Sequence, residues 1–429
     1  MKSTIAALFA ALLATSALAQ NTEDLQRRVQ ALEEKLQRLE QNSETAELRR
    51  EIDVLSHEIE ALKSGQQQKS VEATTPQYGL GAAASKVYRS EPGVAIGGYG
   101  DMLYQNFRSD QPDTADLLRG VIYAGYKFNR NVLFNSEIEV EHGSTEHGGA
   151  VSMEFAYLDY LIRPQVNVRA GLMLMPVGLI NEQHEPTAFL GAQRPNVETL
   201  IIPSTWSELG AGVFGDVGRV SYRAYITTGL NSEEFRAQGI KEGRQGGAQA
   251  LANDWAAVAR ADVHPVEGTI LGGSLYSGNS GQGRGFSGRV TLGELHAESR
   301  FRGASLRGLW SRGSIADAAA INSANGLAGN ESIGRTFGGW YMESGYDVAS
   351  ILPLGDQSLT PFLRYERFDP QRSVPAGFFR SPQNDARVTT FGVAYKPIPQ
   401  TVIKVDWQNV TNRARTGVDQ LNVALGYIF

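Results

Sequence analysis

Residues 421–429 read LNVALGYIF, with apolar or aromatic side chains at every second position: Leu421, Val423, Leu425, Tyr427 and Phe429. Alternation with period two marks a strand whose two faces meet unlike surroundings. One such strand suits any half-buried sheet. The decision lies in how often the pattern recurs upstream.

It recurs throughout the second part of the chain. In TVIKVDWQNV (401–410), Ile403, Val405 and Trp407 alternate with Lys404, Asp406 and Gln408. RVTTFGVAYKPI (387–398) sets Phe391, Val393 and Tyr395 on one face. In RVSYRAYITTG (219–229), Val220, Tyr222, Ala224 and Ile226 oppose Ser221, Arg223 and Thr227. VNVRAGLMLM (166–175) sets Val166, Val168, Ala170, Leu172 and Leu174 against Asn167, Arg169 and Gly171. About sixteen such segments of roughly ten residues fill 92–429, separated alternately by tight turns and longer polar loops. Tight turns are expected at NRN (129–131), RPQ (163–165), Arg302-Gly303 and Pro399-Gln400.

An even number of dyad segments with one short and one long rim predicts an all-β transmembrane barrel of about sixteen antiparallel strands. In hydrocarbon an unpaired backbone N–H or C=O costs several kcal/mol, so a membrane sheet has to close. A soluble propeller would repeat a blade motif, and none is visible. A sandwich explains neither the long-short asymmetry nor the aromatic end. In a barrel, Tyr427 and Phe429 stand at the interfacial depth that aromatic rings favour. The last nine residues also resemble the C-terminal signal by which outer-membrane assembly machinery selects barrels.

The bulk numbers agree. The 429 residues carry a formal charge of -6 and no cysteine, which excludes thiolate chemistry and implies no general attraction to nucleic acid. Residues 1–19, MKSTIAALFAALLATSALA, have the layout of a cleaved signal peptide, with Lys2, a short apolar run and Ala17-Leu18-Ala19. Residues 20–64 are expected to form a periplasmic α-helical coiled coil, on a seam of Leu25, Val29, Leu32, Leu36 and Leu39 resumed at Leu48, Ile52, Leu55, Ile59 and Leu62. Self-association and a contact between 21–64 and the cell wall follow as expectations. Residues 65–91, rich in Gln, Ser, Ala and Gly without period, read as a flexible linker.

Carrying the alternation through each strand predicts the lumen. Its cations are Arg119, Lys127, Arg169, Arg223, Arg260, Arg307, Arg364, Lys396 and Lys404. Its anions are Glu137, Glu139, Glu141, Glu294, Glu298, Glu343, Glu366 and Asp406. Three of the acids share one strand, so the expected picture is an arginine-lined wall facing an acidic one; the alternative for each charge is pairing with a neighbour. The segment 176–208 is too apolar for a solvated loop and is expected to fold inward as a constriction, offering His184, Glu185, Arg194 and Glu198. His142 and His147 sit in EHGSTEHGG, a glycine-rich loop too pliant to hold a catalytic or metal geometry. No enzyme, cofactor or metal is therefore expected.

Three stretches suggest a family: GYGDMLYQNF (98–107), YLDYLIRPQVNVRAGLMLMPVGLINEQHEP (157–186) and FLRYERFD (362–369). Together with the preceding coiled coil they resemble the phosphate-selective porin O/P family over most of 92–429, most clearly over 155–215. The resemblance implies a trimeric outer-membrane channel with sixteen strands that passes small hydrophilic solutes and favours anions. Pore arginines would attract phosphate, because guanidinium matches its oxygens. The acidic run Glu137, Glu139 and Glu141 departs from that pattern.

Overall fold

The computed structural model describes residues 27–35, 76–352 and 354–429. Residues 27–35 are helical, with Val29 and Leu32 less exposed than their neighbours. The rest of the expected coiled coil and the whole signal peptide lie outside the described residues.

Sixteen strands follow, in the number and order that the alternation predicts. The first eight are β1 (Gly93–Phe107), β2 (Thr114–Lys127), β3 (Val132–Glu141), β4 (Val151–Arg163), β5 (Val166–Leu174), β6 (Ser207–Val217), β7 (Val220–Thr228) and β8 (Trp255–Val263). The others are β9 (Thr269–Gly278), β10 (Val290–Phe301), β11 (Ala304–Ile315), β12 (Thr336–Tyr346), β13 (Ser358–Ser373), β14 (Ala386–Ile398), β15 (Thr401–Asn412) and β16 (Gln420–Ile428). Each pairs antiparallel with its sequence neighbours, and β1 pairs with β16 to close the barrel. At the seam Phe429 N–H donates to Gly98 O at 2.9 Å and Gly98 N–H to Phe429 O at 3.1 Å. Closure leaves no open sheet edge, which is what a lipid environment demands.

The faces follow the alternation. Ile403, Val405, Val423, Leu425, Tyr427 and Phe429 are exposed outside, while Val402, Lys404, Asp406, Asn422 and Ala424 are buried inside. The weakly patterned β10 and β12 still turn Glu294, His296 and Glu343 inward. Leu172 and Leu174 at the end of β5 are corrections, since both are buried rather than lipid-facing. For Leu172 the cover is the loop before β8, where a Cβ on Gly247 would stand 3.1 Å from the leucine Cδ1.

The expected tight turns lie on one rim. Between β10 and β11, Arg302 and Gly303 both have positive φ, 48° and 82°. That is the geometry of a two-residue hairpin whose twist matches its strands. Long loops occupy the other rim.

The linker reading fails for the second half of its span. Residues 65–75 lie outside the described residues, but 76–90 form a strap inside the barrel that ends in a helical turn, Lys86–Arg89. Leu80, Ala82, Ala83, Ala84, Val87 and Tyr88 are buried in the same apolar cluster as wall residues Tyr123, Leu133, Phe155 and Tyr157. Asn135 donates to Ala84 O at 2.9 Å, and Lys127 Nζ donates to Tyr88 O and Ser90 O at 3.0 and 2.8 Å. Small residues suit a chain laid against a wall of rings; a packed strap needs no amphipathic period.

Candidate functional site: the barrel lumen

The segment between β5 and β6 folds inward, as its composition predicts. Its apolar side chains Val177, Ile180, Phe189, Val197, Ile201, Ile202 and Trp206 are buried. Its backbone is tied to charges around the wall. Arg307 donates to Ala188 O at 2.9 Å, Lys396 to Thr187 O at 2.9 Å, Lys404 to Gly191 O at 2.9 Å and Arg364 to Gln193 O at 3.3 Å. Asp406 accepts Ala192 N–H at 2.6 Å, and Glu366 accepts Val197 N–H at 3.2 Å. Pro186 packs against the backbone of β16 at Gly426, where a Cβ would stand 2.5 Å from the proline ring. A buried loop backbone needs partners for its polar groups, and here the lumen charges supply them.

The four constriction residues take different parts. Glu198 accepts Ile180 N–H at 2.7 Å and Tyr341 O–H at 2.6 Å, bracing the segment. Glu185 Oε1 accepts the N–H groups of Ala83 and Ala84 in the strap. Arg194 donates to Thr205 Oγ1 at 3.1 Å and to His184 O at 3.2 Å. His184 Nδ1 donates to Asn181 O at 2.9 Å, while Nε2 lies 3.0 Å from Glu137 Oε1. Burial, and next the Arg194 charge, push the His184 imidazole down to about 4. Its contact with Glu137 is thus a hydrogen bond of a neutral ring rather than an ion pair.

The wall charges lie on the inner face of the barrel, but an arginine wall facing an acidic one does not form. Arg169 pairs with Asp159 at 2.8 Å and lies between the rings of Tyr157 and Phe214, at 4.0 and 4.7 Å. Arg223 meets Glu182 at 3.2 Å and Asp262 at 3.1 Å; Arg260 meets Asp262 at 2.8 Å. Arg307 meets Glu298, and Arg364 meets Glu343 and Glu366 at 3.2 and 3.0 Å. Arg119 meets Glu139 at 2.9 Å and Asp101 at 3.6 Å. Each of these arginines has a carboxylate beside it, on its own strand, on a neighbouring strand or on the inward segment, so most of the field is cancelled within a few ångströms.

Sequence reasoning missed Asp101, Asp159, Glu182 and Asp262, the carboxylates that neutralise these arginines, and His296, which lies 2.9 Å from both Asp262 and Glu294. Asp159 and Asp262 obey the same alternation and were findable by it; Glu182 lies on the inward segment, where no period marks it. Also missed were Lys241 and Arg244, from the loop between β7 and β8. Arg244 donates to Pro203 O at 3.2 Å, behind the constriction. Lys241 is within electrostatic reach of Glu141 and Arg119, and burial followed by Arg244 pushes its ammonium down. Glu141, Lys241 and Arg244 are partly exposed.

At the turn rim a vestibule of about 380 Å³, open to solvent, reaches up to Phe189 and Leu190 of the inward segment. Arg300, Arg307, Lys396, Glu298 and Glu343 are among its walls. His142 is exposed at the opposite rim and contacts Asp116 at 2.6 Å.

A closed barrel of sixteen strands with a long inward loop after β5 has the fold of the outer-membrane porins. It is similar to the OmpTdeltaL8 loop-deletion mutant of OmpT from Vibrio cholerae, at TM-score 0.51 and 10% identity over 78% of this chain and 99% of that one. It is similar also to Salmonella typhi OmpF in complex with daunomycin, at TM-score 0.51 and 12% identity over 78% and 97%. At such identities the likeness is one of fold. No protein-family model matches the chain. By sequence it is 36% identical over 371 residues to an uncharacterized protein of Aquifex aeolicus (strain VF5), covering 83% of this chain and 85% of that one. The chain belongs to the family of that protein.

Proposed function

We propose that the protein is an outer-membrane channel for passive diffusion of small hydrophilic solutes, with its long loops outside the cell and its turns, strap and terminal Phe429 at the periplasmic rim. The observation that carries this reading is the pairing of an apolar outer face with a polar, charged interior narrowed by 175–206. Solute passes without a chemical step, and selectivity comes from charge and width at the constriction.

The anion or phosphate preference implied by the family resemblance has to rest on other groups than the arginine ladder. Arg169, Arg223, Arg260, Arg307 and Arg364 are offset by carboxylates. The cations better placed to act on a solute are Lys241 and Arg244, opposed by Glu141. This balance favours a weak anion preference over strict phosphate selection. A homotrimer is part of the proposal: the heptad seam of 20–64 supports self-association but sets no number of chains, and a similar solved structure is the trimer form of Vibrio cholerae OmpT, at TM-score 0.50 and 10% identity over 79% of this chain. The coiled coil would serve as a second attachment, to the cell wall.

Planar-bilayer recording of the purified protein tests the proposal. Discrete conductance steps with a small anion-favouring reversal potential are expected. A folded barrel that conducts nothing would leave the anchoring role as the better account.

A further inference from the structure

The outer surface of the barrel is not uniform. On the loop-side halves of β4 to β9 the outward positions carry no arginine or lysine; Val151, Met153, Leu209, Ile226, Trp255 and Leu275 stand there instead. Across β11 to β15 the picture changes. One register row runs Trp310, Trp340, Arg367, Arg387, Thr411 over five adjacent strands, all facing outward. Arg312 and Arg372 are exposed just above it, and Arg413 and Arg415 continue the cluster beyond the end of β15.

Two adjoining grooves result. Trp310, Trp340, Arg367, Arg372 and Arg380 line one; Arg387, Arg413 and Arg415 line the next. Asp369 and Asp385 are the acids between them. Asp369 is taken by Arg380, and Asp385 lies 3.8 Å from Arg367 and 3.9 Å from Arg380. Among the described residues the guanidinium groups of Arg372, Arg387, Arg413 and Arg415 make no hydrogen bond or ion pair. At the far side of the patch Arg108 lies 5.3 Å from the ring of Trp407.

Toward the membrane centre, past an intermediate row of Gly308, Met342, Tyr365, Thr389 and Asn409, the surface is mostly apolar. The row Leu306, Ser344, Leu363, Phe391, Trp407, Leu421 crosses the same strands. An outward arginine close to hydrocarbon is costly unless an anion meets it, and guanidinium forks match phosphate oxygens. A free phosphate would use the arginines but leave the tryptophans and the apolar row beneath them without purpose. A ligand with phosphate above and acyl chains below uses both.

Resting on the outer-membrane reading above, we propose that the loop-side face of β11 to β15 is a binding site for a phosphorylated glycolipid of the outward leaflet, its phosphates held by Arg367, Arg372, Arg387 and Arg413 and its acyl chains lying on Trp310, Trp340, Leu363 and Phe391. The site faces lipid, outside the conduction path.

Full-length protein folded in detergent is to be titrated with a bisphosphorylated, acylated diglucosamine, with its dephosphorylated form, and with inorganic phosphate, bound lipid being counted by native mass spectrometry. The phosphorylated lipid should bind in preference to the dephosphorylated one. The triple variant Arg367→Gln, Arg387→Gln, Arg413→Gln should bind it about a hundredfold more weakly, as expected for three cations at an anionic surface. Arg163→Gln, at the opposite rim, should bind as the unmodified protein does. Equal binding of the triple variant, equal binding of the dephosphorylated lipid, or displacement by inorganic phosphate at matching concentration would each overturn the proposal. Channel recordings on the same samples separate the two readings. Conductance without lipid binding sinks this site alone, and lipid binding without conductance sinks the channel alone.

Discussion

Glu185 and Ala83 are joined across the lumen: the Glu185 carboxylate accepts the Ala83 N–H at 2.9 Å and, through the same oxygen, that of Ala84 at 3.0 Å. Gly81 lies beneath that carboxylate, in a place where a Cβ would collide with it. The contact couples the strap to the constriction, two segments far apart in sequence. It makes the strap part of whatever path remains open.

Glu185→Ala should therefore loosen the strap without unfolding the barrel. Two buried N–H groups lose their acceptor, each worth about 1–3 kcal/mol. Higher single-channel conductance and faster proteolysis within 76–90 are expected. Unchanged conductance would place the strap outside the path.

Removing Asp159 strands the Arg169 guanidinium in an apolar, ring-lined site. Breaking a buried pair from one side costs about 3–5 kcal/mol, so Asp159→Ala should lower the unfolding midpoint in urea, read by gel mobility. Replacing both residues with leucine should recover much of the loss.

Ion selectivity discriminates paired from available cations. Lys241→Gln with Arg244→Gln should move the reversal potential toward cations. Arg223→Gln with Asp262→Asn removes one charge of each sign and should leave it nearly unchanged. The opposite ranking would show that the wall arginines face the permeating ion after all.

The depressed His184 value fixes a pH dependence. A histidine whose folded value lies below its unfolded one leaves the folded state with fewer protons between about 4 and about 6.5. Stability should fall as pH drops through that window and level off below it. His184→Gln should flatten that slope, measured by thermal unfolding across pH. Ring nitrogen shifts of His184 should likewise show no titration near about 6.5; a midpoint there would mean water reaches the ring.

Deleting 21–64 should leave conductance intact and weaken self-association, measured by light scattering in detergent. Loss of conductance would contradict that division of labour.

Strand number, order and facing were legible because lipid outside and polar groups inside impose a period of two on every strand, as Ile403, Lys404, Val405 and Asp406 illustrate. The inward course of the segment read as 176–208 was legible from residues such as Ile201 and Trp206, too apolar for a solvated loop. What could not be read was pairing. Arg169 looks the same in sequence whether it faces solvent or Asp159, because the partner is fixed by strand register. The strap was missed for a related reason: Ala82, Ala83 and Ala84 are selected by the narrow space between a carboxylate and a wall of rings, and that space exists only after closure.

The join between β1 and β16 has a consequence for biosynthesis. The strand that shuts the cylinder is made after the other fifteen, while the strap it encloses is made before all sixteen. A product interrupted short of Gln420 is left with two bare edges and an unsealed interior. Such fragments should pair with one another and accumulate as clumps rather than insert as narrower cylinders.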